Sequence, residues 1–264
     1  MPTPPNALTT VKAVAKGTAP LVLKARGWVL AALVLVPVLG AILVAMIIAA
    51  QGEGRAFMGS RIGLVIFHSV LVQYMVPIMA LVAAGAGIRE DMEQRTLPLM
   101  LTRPAPVQAL PLGKALPWFL WGSLWLLIGT ATLQVLGGDF SSLLGRMAAL
   151  VGIWWAELAF VTCFGLAFKK GTLWAALWLF IWESLLDVFP ATMQRLTFTH
   201  YANSLAGSRY TASKAHDLLA QTQVDTPVLL AFLILLAFGA ACWAWAGWKL
   251  HRMPIGLAGA EGEG

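Results

Sequence analysis

The sequence predicts an all-α, polytopic membrane protein with six transmembrane helices, an N-terminal interfacial helix and a cytoplasmic segment after the second span. Three observations predict it. The chain is 59% hydrophobic and 11% charged, against roughly 25% charged residues in a soluble domain. Its mean hydropathy is +0.78. Its apolar residues fall in runs long enough to cross a bilayer core about 30 Å thick, which takes about 20 residues as a helix whose backbone amides are bonded within the segment.

Six stretches meet that length: Trp28 to Ala50, Ile62 to Ile88, Ala115 to Leu136, Met147 to Phe168, Thr172 to Phe189 and Val228 to Trp248. The fifth is the shortest and carries Glu183 and Asp187. The first run begins after a polar stretch and is too long for the core of a signal peptide, so it is expected to remain as a span. With short loops and no internal repeat, residues 1–264 read as one membrane domain. Its parts are an N-terminal segment (1–27), a cytoplasmic segment (89–114), an extracytoplasmic segment (190–226) and a tail (249–264).

A pI near 9.6 would suggest nucleic acid if Lys and Arg clustered on polar segments, but here they lie in the gaps between apolar runs, where no nucleic-acid partner is implied. With both termini inside, the cytoplasmic segments hold Lys12, Lys16, Lys24, Arg26, Arg89, Arg95, Arg103, Lys114, Lys169, Lys170, Lys249 and Arg252. The outside keeps Arg55, Arg61, Arg146, Arg195, Arg209 and Lys214. That excess is the positive-inside bias. Trp28, Trp118, Trp174 and Trp248 then fall at the inner boundary, as an interfacial belt of lipid-facing indoles would.

Before the first span, Val11, Val14 and Ala15 share one side of a short helix with Lys12 and Lys16 at its margin, up to Gly17 and Pro20. An interfacial helix on the inner leaflet and a disordered basic tail are the two readings of this stretch. Cys163 and Cys242 sit inside apolar runs, where they read as small hydrophobes and not as disulfide partners or metal ligands.

The stretch from Ala84 to Lys114 is the most informative. Small residues (Ala84 to Gly87) give way to the charged Glu90, Asp91, Glu93 and Arg95. Thr96, Leu97, Leu99, Met100, Leu101 and Arg103 follow, and a proline-punctuated return ends at Leu112-Gly113-Lys114. Leu97, Leu99, Met100 and Leu101 suit a groove on another protein, with Glu90, Asp91, Glu93 and Arg95 setting register. The alternative is an anchor whose leucines rest on the membrane surface.

This stretch resembles the segment after the second span in ABC-type-2 transporter permeases: a Glu-rich turn, Thr-Leu, several leucines, Thr-Arg-Pro and Leu-Gly-Lys. Phe180-Ile181-Trp182-Glu183, with Leu196-Thr197 and His200-Tyr201, is similar to the end of the fifth span in one permease subgroup. Pro98 and the run Pro104, Pro106 and Pro111 depart from the pattern. The resemblance implies a membrane subunit of an ABC exporter in the bacterial cytoplasmic (inner) membrane. The segment would then be a coupling helix docking on a separate ATP-binding subunit. Two such subunits, carrying ATP and Mg, and a second permease copy (homodimer or heterodimer) would complete the transporter. The chain itself is then no enzyme and holds no cofactor. Indeed no G-x-x-x-x-G-K-[ST] phosphate loop is present; Gly113-Lys114 is followed by Ala115.

Glu157 lies about ten residues into the fourth span and Glu183 about eleven into the fifth. At about 1.5 Å per residue both reach roughly the bilayer midplane. A charge there costs on the order of 3 kcal/mol on insertion scales, so such residues face a bundle interior or an aqueous cavity. Glu157 and Glu183 are therefore candidates to line or gate a translocation route, with at least one protonated for part of the cycle. A hydrogen bond between helices is the alternative role. Asp187, one turn beyond Glu183, is placed in water near the outer end. Trp174, Trp178 and Trp182 read as a packing stripe. His68 reads as a structural histidine, His216-Asp217 as a solvated pair, and His200 and Tyr201 as shaping the exit.

Two other function classes are weighed. An intramembrane hydrolase using Glu157, Glu183, His68 and His200 lacks both H-E-x-x-H and G-x-S-x-G. A proton-driven secondary transporter would call for inverted repeats and unwound spans, neither of which the sequence displays.

Overall fold

The structure, a computed structural model, describes residues 6–50, 70–85, 90–91, 106–137, 140, 142–186, 191–206 and 226–252. Among these every regular element is a helix. In chain order they are α1 (Ala7–Val22), α2 (Ala25–Ala50), α3 (Leu71–Gly85), α4 (Leu110–Gly137, entered through a 3₁₀ turn at Val107–Ala109), α5 (Leu143–Ala167), α6 (Gly171–Leu186), α7 (Ala191–Gln194), α8 (Phe198–Ala206) and α9 (Val228–Arg252). α2, α4, α5 and α9 are long and apolar enough to cross a membrane. α3 and α6 are shorter apolar helices, and the part of the second expected span before Val70 lies outside the described residues.

Where both starts are described, the first, third, fourth, fifth and sixth expected stretches and their helices begin within about five residues of one another. α4 starts at Leu110, before the expected Ala115, because Pro111 stands in its opening turn, where a missing N–H breaks no helical bond. α1 likewise runs through Gly17 and Pro20 to Val22. It packs along α4, so it is a docked helix and not a basic tail.

α5 is the central helix. Of its apolar window 72% is buried within the chain, against 22% for α9 and 33% for α2. It touches α3, α4, α6, α8 and α9. Close approach rests on glycine facing tryptophan, the small-residue packing that membrane helices use. A Cβ on Gly122 of α4 would come within 2.7 Å of Trp154, and one on Gly239 of α9 within 2.2 Å of Trp155. Each indole N–H then reaches a backbone carbonyl across the interface, Trp154 to Phe119 at 3.0 Å and Trp155 to Leu236 at 3.3 Å. Trp121 does the same to Gly27 of α2 at 2.8 Å.

The helix ends assigned to one side by charge lie together. α1, the starts of α2, α4 and α6, and the ends of α5 and α9 meet at one end of the bundle. Lys12, Lys16, Lys24, Arg26, Lys114, Lys169, Lys170, Lys249 and Arg252 belong to these ends. The tryptophan belt needs one correction. Trp28, Trp174 and Trp248 are exposed on the bundle, but Trp118 is 2% exposed and packs in the core. The expected packing stripe on α6 holds in part: Trp178 packs on Phe160 of α5 and stacks on Trp182 at 4.9 Å, while Trp174 is exposed.

Candidate functional site: carboxyls within the bundle and at its basic end

Within the described part of α6, Gly171–Leu186, Trp178–Trp182 is a π-helical turn. The remainder of the fifth expected span, after Leu186, lies outside the described residues. After α7 the chain turns back, and α8 starts beside Glu183, the carboxyl side chain at the start of the last turn of α6. α8 then runs along α5. Phe198 packs on Phe160 and Phe238, while Leu205, at the other end, meets Gly145 near the start of α5. The turn at residues 195–197 breaks the helical path between α7 and α8, and α8 begins deep in the bundle.

Glu183, 6% exposed, completes that break. Its carboxylate accepts the Phe198 N–H at 3.3 Å and the Thr199 hydroxyl. The first amides of a helix have no partner of their own and carry the positive end of the helix dipole, so an acid there satisfies both. Thr197 adds the ordinary side-chain cap, its Oγ1 accepting the His200 N–H at 3.2 Å.

Glu157 lies on the buried face of α5 with 0% exposure. Neither of its carboxyl oxygens has a hydrogen-bond partner among the described residues. It lies within electrostatic reach of Glu183. One helical turn on, Phe160 touches Phe164, Trp178, Phe198 and Phe238, so an aromatic cluster adjoins the two acids. Glu157 and Glu183 are thus neighbours in the bundle. Asp187 lies outside the described residues.

His200 and Tyr201 are half-buried on α8, ring to ring at 5.3 Å. His200 Nε2 is 3.0 Å from Thr226 Oγ1, which ties α8 to the residues just before α9. Tyr201 packs against the main core. Cys163 and Cys242 face each other across α5 and α9, with the Cys163 thiol 3.0 Å from the Cys242 carbonyl, as free cysteines.

At the end of the bundle where the basic helix ends meet, Glu90 pairs with Arg26 and Asp91 with Lys114. Both acids thus bind within the chain. Glu93, Arg95, Thr96, Leu97, Leu99, Leu101 and Arg103 lie outside the described residues, as do His68 and His216-Asp217. Sequence reasoning missed the partners Arg26, Lys114, Phe198 and Thr199. Thr197 was the one available signal, a residue of the capping class placed just before a short amphipathic run. Comparison with protein-family models, with curated proteins and with solved structures returns no match.

Proposed function

We propose that this chain is the permease subunit of an ATP-driven exporter. In this reading six spans sit in a bacterial cytoplasmic membrane with both termini inside. The chain forms the translocation route with a second permease copy and takes its energy from a separate ATP-binding subunit. The observation that carries the reading is the stretch from Glu90 to Lys114, which resembles the coupling segment of ABC-type-2 permeases from its Glu-rich turn to Leu112-Gly113-Lys114. The clustering of basic helix ends around that stretch supports an inner location for it. ATP binding does work on the spans only if the partner grips the stretch differently with and without nucleotide. Leu97→Asp or Leu101→Asp is expected to abolish ATPase stimulation in the co-purified complex. Unchanged hydrolysis with intact assembly would count against coupling through this stretch.

One observation favours a second reading, a proton-driven secondary transporter. Interrupted helices that begin near the midplane beside ionisable groups are where such proteins bind cargo and coupling ions. The break before Phe198, with Glu183 at it and Glu157 close by, has that form. Transport by the chain alone in proteoliposomes, driven by a proton gradient without any nucleotide-hydrolysing subunit, would favour this reading over the first.

A further inference from the structure

Glu90 and Asp91 are successive residues just beyond α3 in the sequence. In helical geometry neighbours point about 100° apart, and each acid forms its ion pair with a different element, with Glu90 also within electrostatic reach of Lys114. Glu90 pairs with Arg26 at the start of α2, and Asp91 pairs with Lys114 in the second turn of α4. The two ion pairs differ in burial. The Arg26 side chain is 56% exposed, whereas those of Lys114 and Asp91 are 12% and 13% exposed.

The turns of α4 around Lys114 are also where other elements converge. Gly113 lies so close to α1 that a Cβ there would come within 2.9 Å of Val14 Cβ. Just before α4, the Gln108 carbonyl lies against Gly247 of α9, where a Cβ would come within 2.8 Å of it. Leu110 joins Cys163, Leu166, Ala246 and Leu250 in an apolar cluster. Lys114 therefore stands on a part of α4 held by α1, α5 and α9, and Asp91 ties the end of the second span to it.

We propose that Asp91 and Lys114 are positioning residues for energy coupling: their ion pair closes the base of the stretch that runs from one to the other. Displacement of that stretch by a partner is thereby delivered to the second and third spans as one body. The inference rests on the exporter reading and gives Asp91 a different task within it, holding the stretch from inside instead of meeting the partner. The physical reason is that a buried pair is costly to open, because either ion left alone keeps its desolvation penalty. The pair therefore stays closed while the stretch is pushed. The exposed Arg26–Glu90 pair has no such resistance.

The test uses the full chain co-purified with its nucleotide-hydrolysing partner, with Phe140→Cys as a reporter at the other end of the bundle. Phe140 is exposed, and Cys163→Ala and Cys242→Ala remove the native thiols. The readout is the change in maleimide labelling of that reporter when ATP and vanadate are added. Asp91→Lys and Lys114→Asp are each expected to keep the partner bound and hydrolysing while the nucleotide-dependent change falls by about fivefold or more, the lower range of a site-to-site coupling. The double exchange is expected to recover it.

Single reversals that keep the full response overturn the proposal, as does a double exchange no better than the worse single. If the reversals do not accumulate, the neutral pair Asp91→Asn with Lys114→Met leaves no charge unpaired. Folded protein with a lost response then supports the proposal, and a full response overturns it. An unsubstituted chain that carries no nucleotide-hydrolysing subunit overturns the exporter reading and this proposal together, a result visible before any variant is made.

Discussion

Asp91 at the basic end of the bundle and Glu157 in the middle of α5 are both buried carboxyls, and the fold treats them in opposite ways. Asp91 has a lysine within the chain. Glu157 has no hydrogen-bond partner for either oxygen among the described residues. Glu183 stands between these cases, since helix amide and hydroxyl donors meet its charge. A partnered acid has a structural task that explains its presence. Glu157 has none in the packing, although a leucine at that position would fill a helix interface at far lower cost.

The largest effect should come from the basic end. Lys114→Met removes the cation and leaves Asp91 buried, which costs about 3–5 kcal/mol when one member of a buried pair is lost. Denaturant unfolding of the purified chain in micelles would measure it. A loss below about 1 kcal/mol would mean that Asp91 is solvated as a surface ion is, and the contrast with Glu157 would shrink. Adding Asp91→Asn to Lys114→Met should return most of the loss, because the penalty belongs to the uncompensated charge.

Next comes the break before α8. Glu183→Ala strips α8 of an amide acceptor and the Thr199 hydroxyl of its partner, and loss of a helix cap costs about 0.5–2 kcal/mol. The loss should be local. Hydrogen exchange is expected to speed at the first amides of α8 and to stay slow in the middle of α5, whose buried face is held by five neighbouring helices. Uniform acceleration across both helices would show that Glu183 holds the bundle and not the cap.

These contrasts were unevenly legible in the sequence. The all-α membrane class and the long helices were readable because length and hydropathy are local properties; Val228 opens both the expected span and α9. That Glu157 and Glu183 lie at similar distances along their apolar runs was readable from rise per residue alone. Their different surroundings did not. The cap on Glu183 comes from residues 15 and 16 positions away, brought back by a turn that no hydropathy pattern announces. The Asp91–Lys114 pair was hidden for a related reason: a run of charges beside an apolar run reads as a solvated or partner-facing surface until the helix that supplies the counter-ion is placed. Trp118 misled in the same way, since indoles at a boundary and indoles in a core look alike in sequence.

A smaller effect is expected at the exposed neighbour of the buried pair. Arg26→Ala removes one member of the ion pair with Glu90, but the Arg26 side chain is 56% exposed and that of Glu90 29%, so water takes up the carboxylate left behind. The cost should be about 0–1 kcal/mol and should vanish in high salt. A loss as large as that of Lys114→Met would remove the distinction between a tie that holds and one that yields.

The smallest effect on folding is expected where the acid has least to do. Glu157→Leu removes a fully buried carboxyl with no hydrogen bond to lose and replaces it with an apolar side chain of similar reach. Removing such a group spares its desolvation cost, so the unfolding free energy should stay level or rise. Transport by the assembled complex should fall all the same, if the carboxyl serves the route. The two measurements together separate the alternatives for this residue. Lower stability would make Glu157 a bond between helices after all, and unchanged stability with unchanged transport would leave this part of the bundle without a functional acid.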